Sequence, residues 1–363
     1  MESSEPPATP TPLTPPRSIR PLVILGALVV VACGGGESTA PSFSVLAVGS
    51  LPLTTAAGSP VGDSIRVRVV DGGGNPKSGI AVSFAVTSGG GSVSPASAVT
   101  DVQGRAASRF LTDPKVGVNT ATATIAASAP VTFSVTTIAG PATTLSIKER
   151  IVIADAGQRV SPTITAADAN GNVVPNTQIT FTARTPSVVS LTSDGGIVGI
   201  GLAQTFVVAS STLAADSILV VVTNPNGPVL ASDLTRLDVA HDTSFTVPVV
   251  LDMRTSGEKL GATTVTVRWD PAQLTMVSQV EGSSGVGALV NATGAAQGVV
   301  TLAVASATGF PGKIELRRMT FKAASAVGRA GKLQLVASEI SGAGTFTDLL
   351  PRTTAVTYPL STR

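Results

Sequence analysis

The residue types that carry most enzyme chemistry are scarce in this chain. Its 363 residues include a single histidine, His241, and a single cysteine, Cys33. A general base needs a nucleophile within hydrogen-bond reach, and the sequence has no Gly-x-Ser-x-Gly turn of the kind that holds a nucleophile in many hydrolases. His241 stands beside Asp242 just before a predicted strand, which is typical of a surface linker histidine. We therefore expect no catalytic residues and no enzymatic activity.

Metal-ligand patterns are also sparse. One histidine and one cysteine cannot build a closed zinc or copper site. Carboxylates at predicted strand ends could gather around calcium at a domain junction; they are Asp71, Asp101, Asp168 and Asp194. No segment has the dense Asp-x-Asp spacing of a dedicated calcium loop, so we favour the capping of turns by these short acceptor side chains. We expect neither a metal site nor a cofactor.

Cys33 ends an apolar run that follows two arginines. The residues directly before it are Val30, Val31 and Ala32. This order resembles the lipobox of bacterial lipoproteins, which implies a signal peptide over residues 1–32 and a diacylated Cys33 at the new N-terminus. Two alternatives are a plain secretory signal with an unrelated cysteine and a short anchor helix. The run is about half of the ~20 apolar residues that a spanning helix needs, which favours the lipoprotein interpretation.

The segment after Cys33 is rich in glycine and has no apolar periodicity. We predict a flexible tether over residues 33–42 that lets the first domain stand off the membrane. The lipobox and the tether together predict a protein of the bacterial cell envelope, lipid-anchored at the outer membrane or the cell surface.

Composition predicts a chain built from many short strands. The 37 glycines and 25 prolines separate segments rich in Val, Thr, Ser and Ala, and β-branched residues fit a pleated sheet. Charged residues make up 13%, and the net charge is +2 with Lys and Arg spread singly. We therefore expect no basic patch for nucleic acid or an anionic membrane. A single Trp and a single Tyr argue against a sugar-binding face of stacked rings, although a spatial pair of acids for glycoside hydrolysis stays open.

An internal repeat with an offset of 97 residues marks two similar domains. Asp71 and Asn75 recur as Asp168 and Asn172, each pair just before a predicted strand. The same offset relates Gly104 and Ala106 to Gly201 and Ala203. An offset of this size equals one sandwich domain of ~100 residues. In each copy we expect the aspartate to cap a turn and the Gly-Asn pair to supply positive φ angles.

Around these residues the chain resembles bacterial Ig-like domains of the invasin/intimin type. The resemblance covers residues 43–138 and includes the strand that ends in Asp71, the turn to Asn75 and Thr100-Asp101-Val-Gln-Gly104. The second copy, residues 142–224, departs from it, because Asp101 corresponds there to Val198, and it is more similar to the second group of bacterial Ig-like domains. The resemblance implies an extracellular spacer or an adhesive stalk without catalytic residues.

The last part of the chain has a different pattern. Trp269-Asp270-Pro271 follows a predicted core strand, with Leu274 three residues later. Further strands follow at sandwich spacing. This order resembles a cohesin-type module over residues 236–360 and implies a jelly-roll sandwich in which Trp269 fills the core.

We predict an all-β fold of three tandem β-sandwiches, two Ig-like and one cohesin-like. The predicted domains span residues 43–140, 141–228 and 235–363. Their boundaries fall in polar Gly/Pro segments, so each domain should fold alone.

The favoured function is that of a non-enzymatic, lipid-anchored surface protein. Its Ig-like stalk would present the C-terminal domain for adhesion or protein interaction. The alternative is a cohesin-type receptor that captures dockerin-bearing, polysaccharide-degrading enzymes, and carbohydrate binding or an unrecognised carbohydrate-active enzyme is less favoured. The expected partners are the membrane, through the lipid anchor, and either a protein or a surface polysaccharide, but no nucleic acid.

Overall fold

Strands form nearly all of the regular structure. The computed structural model describes residues 42–49, 54–62, 64–126, 128–254, 256–325 and 330–362. Within these ranges there is no α-helix, and two short 3₁₀ turns occur at Ala295–Gln297 and Leu350–Arg352. The predicted leader, its lipobox, Cys33 and the tether up to residue 41 lie outside the described residues. The predicted all-β fold of tandem sandwiches is confirmed.

The first sandwich contains nine strands in two sheets. They are β1 Phe43–Ala47, β2 Thr54–Ala56, β3 Ile65–Asp71, β4 Ala81–Ser88, β5 Gly91–Ser94, β6 Ser97–Val99, β7 Arg105–Thr112, β8 Gly117–Thr124 and β9 Val131–Ile138. One sheet has the order β1-β3-β7-β5 and the other β2-β9-β8-β4-β6. Alternation along β3 buries Ile65, Val67 and Val69 between the two sheets, where they meet Phe84 and Phe110.

The second sandwich contains the next nine strands. They are β10 Thr144–Ile147, β11 Ile151–Asp155, β12 Arg159–Val160, β13 Ile164–Ala167, β14 Thr180–Ala183, β15 Val189–Leu191, β16 Ile197–Gly199, β17 Gln204–Ser210 and β18 Ala215–Thr223. The main sheet has the order β11-β18-β17-β14, and smaller sheets pair β10 with β13 and β12 with β16 and β15. Ile197, Val207 and Ile218 lie at the centre of its core.

The third sandwich contains eleven strands. They are β19 Val229–Ala231, β20 Asp238–Val239, β21 Ser244–Asp252, β22 Leu260–Trp269, β23 Leu274–Glu281, β24 Leu289–Asn291, β25 Val299–Phe310, β26 Lys313–Ala323, β27 Ala330–Gly342, β28 Thr354–Ala355 and β29 Thr357–Thr362. A five-stranded sheet, β23-β26-β21-β19-β28, faces a six-stranded sheet, β20-β29-β27-β22-β25-β24. Because β19 pairs with β21 and β28, this sandwich begins at Val229, six residues before the predicted start.

The 97-residue offset of the repeat does not hold through the second sandwich. Gly104 closes a turn from Asp101 at the start of β7, with φ +73°. The same hydrogen-bond pattern closes the turn from Thr192 to Gly195 before β16, with φ +81°. Gly201 instead follows β16. The sequence pairing of Gly104 with Gly201, and of Asp101 with Val198, is therefore wrong, because the connections after β14 are shorter in the second sandwich and the offset falls to 91.

Candidate functional site

The first copy of the repeated turn is exposed and internally satisfied. Asp71 Oδ1 accepts hydrogen bonds from the N–H groups of Gly73 (3.0 Å) and Asn75 (2.9 Å). The Lys77 ammonium lies 2.9 Å from Asp71 Oδ2. The bond to Lys77, followed by the Asn75 and Gly73 amides, lowers the pKa of Asp71 to about 2. The carboxylate therefore has its partners within its own turn.

The second copy has the same internal bonds but is buried. Asp168 and Asn172 are each 4% exposed. Asp168 Oδ1 accepts from the N–H groups of Asn170 and Asn172 (both 2.9 Å), and the Asn172 side chain leads the contacts that lower the pKa of Asp168 to about 2. Val174 stands where Lys77 stands in the first copy, and the N–H of Gly140 donates to Asp168 Oδ2 (2.9 Å).

The buried turn forms the junction between the first and second sandwiches. The Asn172 amide donates to the carbonyl of Pro114 (2.8 Å), and its Oδ1 accepts from the N–H of Val116 (3.2 Å). Asn170 Nδ2 donates to the Ala57 carbonyl (3.3 Å), and the Lys115 ammonium donates to the Asn170 carbonyl (3.2 Å). Side-chain amides and backbone groups thus make this junction polar.

The other sequence-predicted carboxylates each serve their own turn. Asp101 Oδ1 accepts from the N–H groups of Gln103 (2.9 Å) and Arg105 (2.8 Å). Asp194 bonds to Thr192 and Arg159 (both 2.5 Å), which lower its pKa to about 2. Across the part of the chain that the structure describes, no three His, Cys, Asp or Glu side chains converge as a metal-ligand group.

The junction between the second and third sandwiches is apolar. Strand β18 is buried on both faces: Ile218, Val220 and Val222 point into the second sandwich, whereas Leu219 and Val221 join the core of the third. Gln204 adds a paired contact with the Thr357 backbone, with Nε2 donating to its carbonyl (2.8 Å) and Oε1 accepting from its N–H (3.0 Å). The sequence signal for this junction is the unbroken apolar run from Ile218 to Val222, which is typical of a strand buried on both faces.

A polar crevice of about 300 Å³ opens beside this apolar contact. From the second sandwich it is lined by Asp155, and from the third by two ion pairs, Asp233 with Lys313 (2.7 Å) and Asp252 with Arg254. Four of the five charges therefore neutralise each other in pairs within the third sandwich.

Trp269, Asp270 and Pro271 are structural in the third sandwich. Trp269 is 6% exposed and meets Phe321 edge to face, with ring centroids 5.0 Å apart. The Asp270 carbonyl accepts from the N–H groups of Gln273 and Leu274, which forms the turn into β23. Asp270 Oδ1 accepts from Ala272 N–H (2.9 Å). The motif therefore fixes a core corner, and the exposed Asp270 carboxylate caps its turn.

The outer face of the six-stranded sheet has a patch of uncharged side chains, with Arg268 and Glu339 at its ends. Thr301, Thr266 and Val336 stand in register across β25, β22 and β27. Thr264 and Ala303 form the next row, which Glu339 on β27 completes with its carboxylate 3.3 Å from the Thr264 hydroxyl. The side chains of this patch are small and at least partly exposed, and the pairing of β22 with β27 shifts register beside it, between Thr264 and Val265.

The sole histidine lies at the surface of the third sandwich. His241 is about half exposed, and its Nδ1 lies 3.6 Å from Asp242. Asp242 lies at the same distance from Lys322.

Among the described residues, no helix is long and apolar enough to cross a membrane.

Strand pairing assembles a basic surface that sequence analysis did not predict. Arg66 and Arg68 on β3 and Arg105 and Arg109 on β7 all point away from the core of the first sandwich. Arg68 pairs directly with Arg105 across the two strands. These four residues form what we call the arginine face. The expectation that basic residues are only scattered is therefore wrong for this sheet, because Arg68 and Arg105, 37 positions apart, become neighbours. The available signal was the alternation Ile-Arg-Val-Arg.

Residues 59–138 match the family of bacterial Ig-like domains (group 1). This match covers the body of the first sandwich, where the sequence resemblance predicted such a domain. No curated protein sequence matches the chain.

Solved structures with similar folds include cohesins and an adhesin. The sixth cohesin of scaffoldin B from Acetivibrio cellulolyticus, solved in complex with a dockerin, is 20% identical and covers 37% of this chain and 99% of its own, with a TM-score of 0.31. A non-cellulosomal cohesin from Archaeoglobus fulgidus is 15% identical and covers 38% of this chain and 90% of its own, with a TM-score of 0.30. The Escherichia coli adhesin FdeC is 13% identical and covers 89% of this chain and 96% of its own, with a TM-score of 0.38.

Proposed function

We propose that this protein is a non-enzymatic, lipid-anchored surface protein whose third sandwich is a binding head for another protein. The observation that carries the proposal is the row of small, uncharged side chains Thr301, Thr266 and Val336 on the outer face of the six-stranded sheet. Threonine and valine side chains have few rotamers to order when a partner binds. The two preceding sandwiches act as the stalk, and Cys33 carries the lipid.

The apolar junction supports the division into stalk and head. Leu219 and Val221 of the second sandwich are buried in the core of the third. A head held in this way has a fixed orientation on the domain below it, so that a partner meets a preorganised surface.

A single charge placed on the proposed face tests the assignment. Full-length protein with Thr266→Arg should retrieve much less of its binding partner from cell-surface extracts than the unchanged protein does. The matched control is Thr320→Arg, because Thr320 is also partly buried but lies on the outer face of the five-stranded sheet, on β26. Equal retrieval by both variants would contradict the assignment of this face.

A narrower version names the partner as a dockerin-bearing enzyme. It is supported by the cohesin-type order of Trp269-Asp270-Pro271 and Leu274, which the structure places at a core corner and the start of β23. A panel of dockerin modules, with calcium present and then chelated, should show tight capture that depends on calcium, because dockerins need calcium to fold. Binding of insoluble polysaccharide by the two Ig-like sandwiches alone would instead reverse the roles of stalk and head.

A further inference from the structure

The two faces of the first sandwich differ sharply in charge. Strands β2, β4, β6, β8 and β9, which form one sheet, contain no charged residue. The other sheet has the four residues of the arginine face, Arg66, Arg68, Arg105 and Arg109, on its outer surface. Asp71 is the one acidic residue in the strands of this sheet. Its position along β3 places it on the side opposite to Arg66 and Arg68, and its carboxylate pairs with Lys77. Charge is therefore concentrated on one surface of this domain.

The arginine face is electrostatically unfavourable for the isolated sandwich. Arg68 and Arg105 occupy directly paired positions on neighbouring strands, and like charges in such positions destabilise a sheet. Among the described residues, Arg68, Arg105 and Arg109 form no ion pair with an acidic side chain. An anionic partner would remove this repulsion. Folding of the domain does not explain the four arginines, whereas binding of an anion does.

The shape and composition of the face indicate what kind of anion fits. Leu46 on β1, paired with Arg68, is 48% exposed, and Leu111 on β7, beyond Arg109, is 40% exposed. Both point outward with the arginines. Two leucines beside four guanidinium groups on one face of a sheet can meet a layer that is anionic at its surface and apolar just below it.

We propose that the arginine face binds the anionic headgroups of a phospholipid bilayer. Guanidinium groups form paired hydrogen bonds with phosphate oxygens, and the two leucines reach the boundary with the acyl chains. The proposal rests in part on the lipid anchor: the ten residues from Cys33 to Ser42 span at most about 35 Å. An acylated Cys33 would therefore keep β1 within that distance of the bilayer, and the arginine face would lay the first sandwich against it.

The test uses full-length protein with Cys33→Ser, so that no lipid can be attached. Its binding to vesicles of phosphatidylcholine with phosphatidylglycerol is compared with its binding to phosphatidylcholine alone. We expect a preference for the anionic vesicles that weakens as salt is added. Arg68→Gln, Arg105→Gln and Arg109→Gln, combined, should reduce binding by about fivefold per arginine, because each basic residue near an anionic surface contributes about that factor.

A matched variant controls for net charge. Lys259→Gln, Arg268→Gln and Lys332→Gln remove the same number of charges from exposed positions of the third sandwich. This variant should bind anionic vesicles as the parent does. If both triple variants bind equally, the arginine face is not the contact and the proposal fails.

Two further outcomes separate this proposal from its alternatives. Tight binding to heparin, used as a sulfated polysaccharide, without preference for anionic vesicles would overturn the lipid assignment in favour of a polysaccharide. If a palmitate analogue fails to label the unchanged protein, the proposed lipid anchor is wrong. The vesicle result would still test the arginine face, since that assay uses protein without a lipid. The arginine variant should unfold at the same temperature as the parent or higher, because it lacks the cross-strand repulsion.

Discussion

The two junctions of this molecule join neighbouring sandwiches by opposite means. The first uses a polar turn, in which Asn170 and Asn172 bond to the backbone of the preceding sandwich. The second uses a strand, β18, whose outer face carries Leu219 and Val221 into the next core. The first junction depends on a few directional hydrogen bonds, and the second on apolar area removed from water.

The difference matters because the two kinds of contact differ in energy. A hydrogen bond contributes a net ~0.5–1.5 kcal/mol, and the one exposed junction bond, from Lys115 to the Asn170 carbonyl, also competes with water. Burial of a leucine or valine side chain contributes roughly 1.5–3 kcal/mol. The second and third sandwiches should therefore behave as one cooperative unit, with the first attached more weakly. All three lie within one compact unit, Phe43–Arg363.

The largest expected effect on solubility and thermal stability comes from dividing the chain at each junction in turn. Residues 141–363 should be soluble and monomeric, because the cut exposes only the polar turn. Residues 43–228 should aggregate or melt at lower temperature, because Phe206, Leu219 and Val221 lose their partners in the third sandwich. Light scattering and thermal unfolding compare the two fragments. Equal behaviour would show that the sandwiches are independent, as the sequence boundaries predict.

Substitution within β18 tests the same contrast in the full chain. Leu219→Ala should lower the free energy of unfolding by about 2–5 kcal/mol, because it leaves a cavity in the shared core. Its matched control is Ile218→Ala, which removes a side chain of similar size from the second sandwich alone. Calorimetry should show that Leu219→Ala separates the transitions of the second and third sandwiches, whereas Ile218→Ala leaves them together. Merged transitions in both variants would contradict a junction centred on Leu219.

Local sequence predicted the strands well but could not predict the contacts between sandwiches. Alternation along Ile65, Val67 and Val69 was enough to identify β3 and its buried face. The two Asp-Asn turns, by contrast, have nearly the same local sequence, yet one is exposed and the other buried. What distinguishes them is the presence of Pro114 and Val116 from more than 50 residues earlier.

Register limits sequence prediction in two further places. The pairing of Arg68 with Arg105 depends on which residues of β3 and β7 face each other, and composition alone carries no such information. The repeat offset changes from 97 to 91 within the second sandwich, so Gly195, rather than Gly201, takes the place of Gly104. Hydrogen bonding and positive φ show this equivalence, which matching of residue types missed.

A smaller effect is expected at the polar junction. Asn172→Ala removes the bonds to Pro114 and Val116 as well as those to Asp168. It should lower the free energy of unfolding by about 1–3 kcal/mol, because buried partners are left unsatisfied. Asn75→Ala is the matched control, since Asn75 makes only the bonds within its exposed turn. Denaturant unfolding measures both. A larger loss for Asn75→Ala would reverse the comparison between the two turns.

The smallest expected effect is the loss of stability in acid, which should involve the junction through Asp168 but not through Asp71. Folding lowers the pKa of both Asp71 and Asp168 from about 3.8 to about 2, so each carboxylate stabilises the native state above pH 4 and loses that contribution as the pH falls toward 2. Protonation of Asp168 weakens a buried junction, whereas protonation of Asp71 affects only an exposed turn paired with Lys77. Between pH 4 and 2, exchange at Gly140 and Val116 in the parent protein should therefore become faster relative to the intrinsic rate of an unprotected amide at the same pH, which is a lower protection factor. Asp168→Asn should show that faster exchange already at neutral pH, and Asp71→Asn should leave Gly140 and Val116 protected. Protection lost at these amides in Asp71→Asn would mean that the first turn, rather than the second, controls the junction.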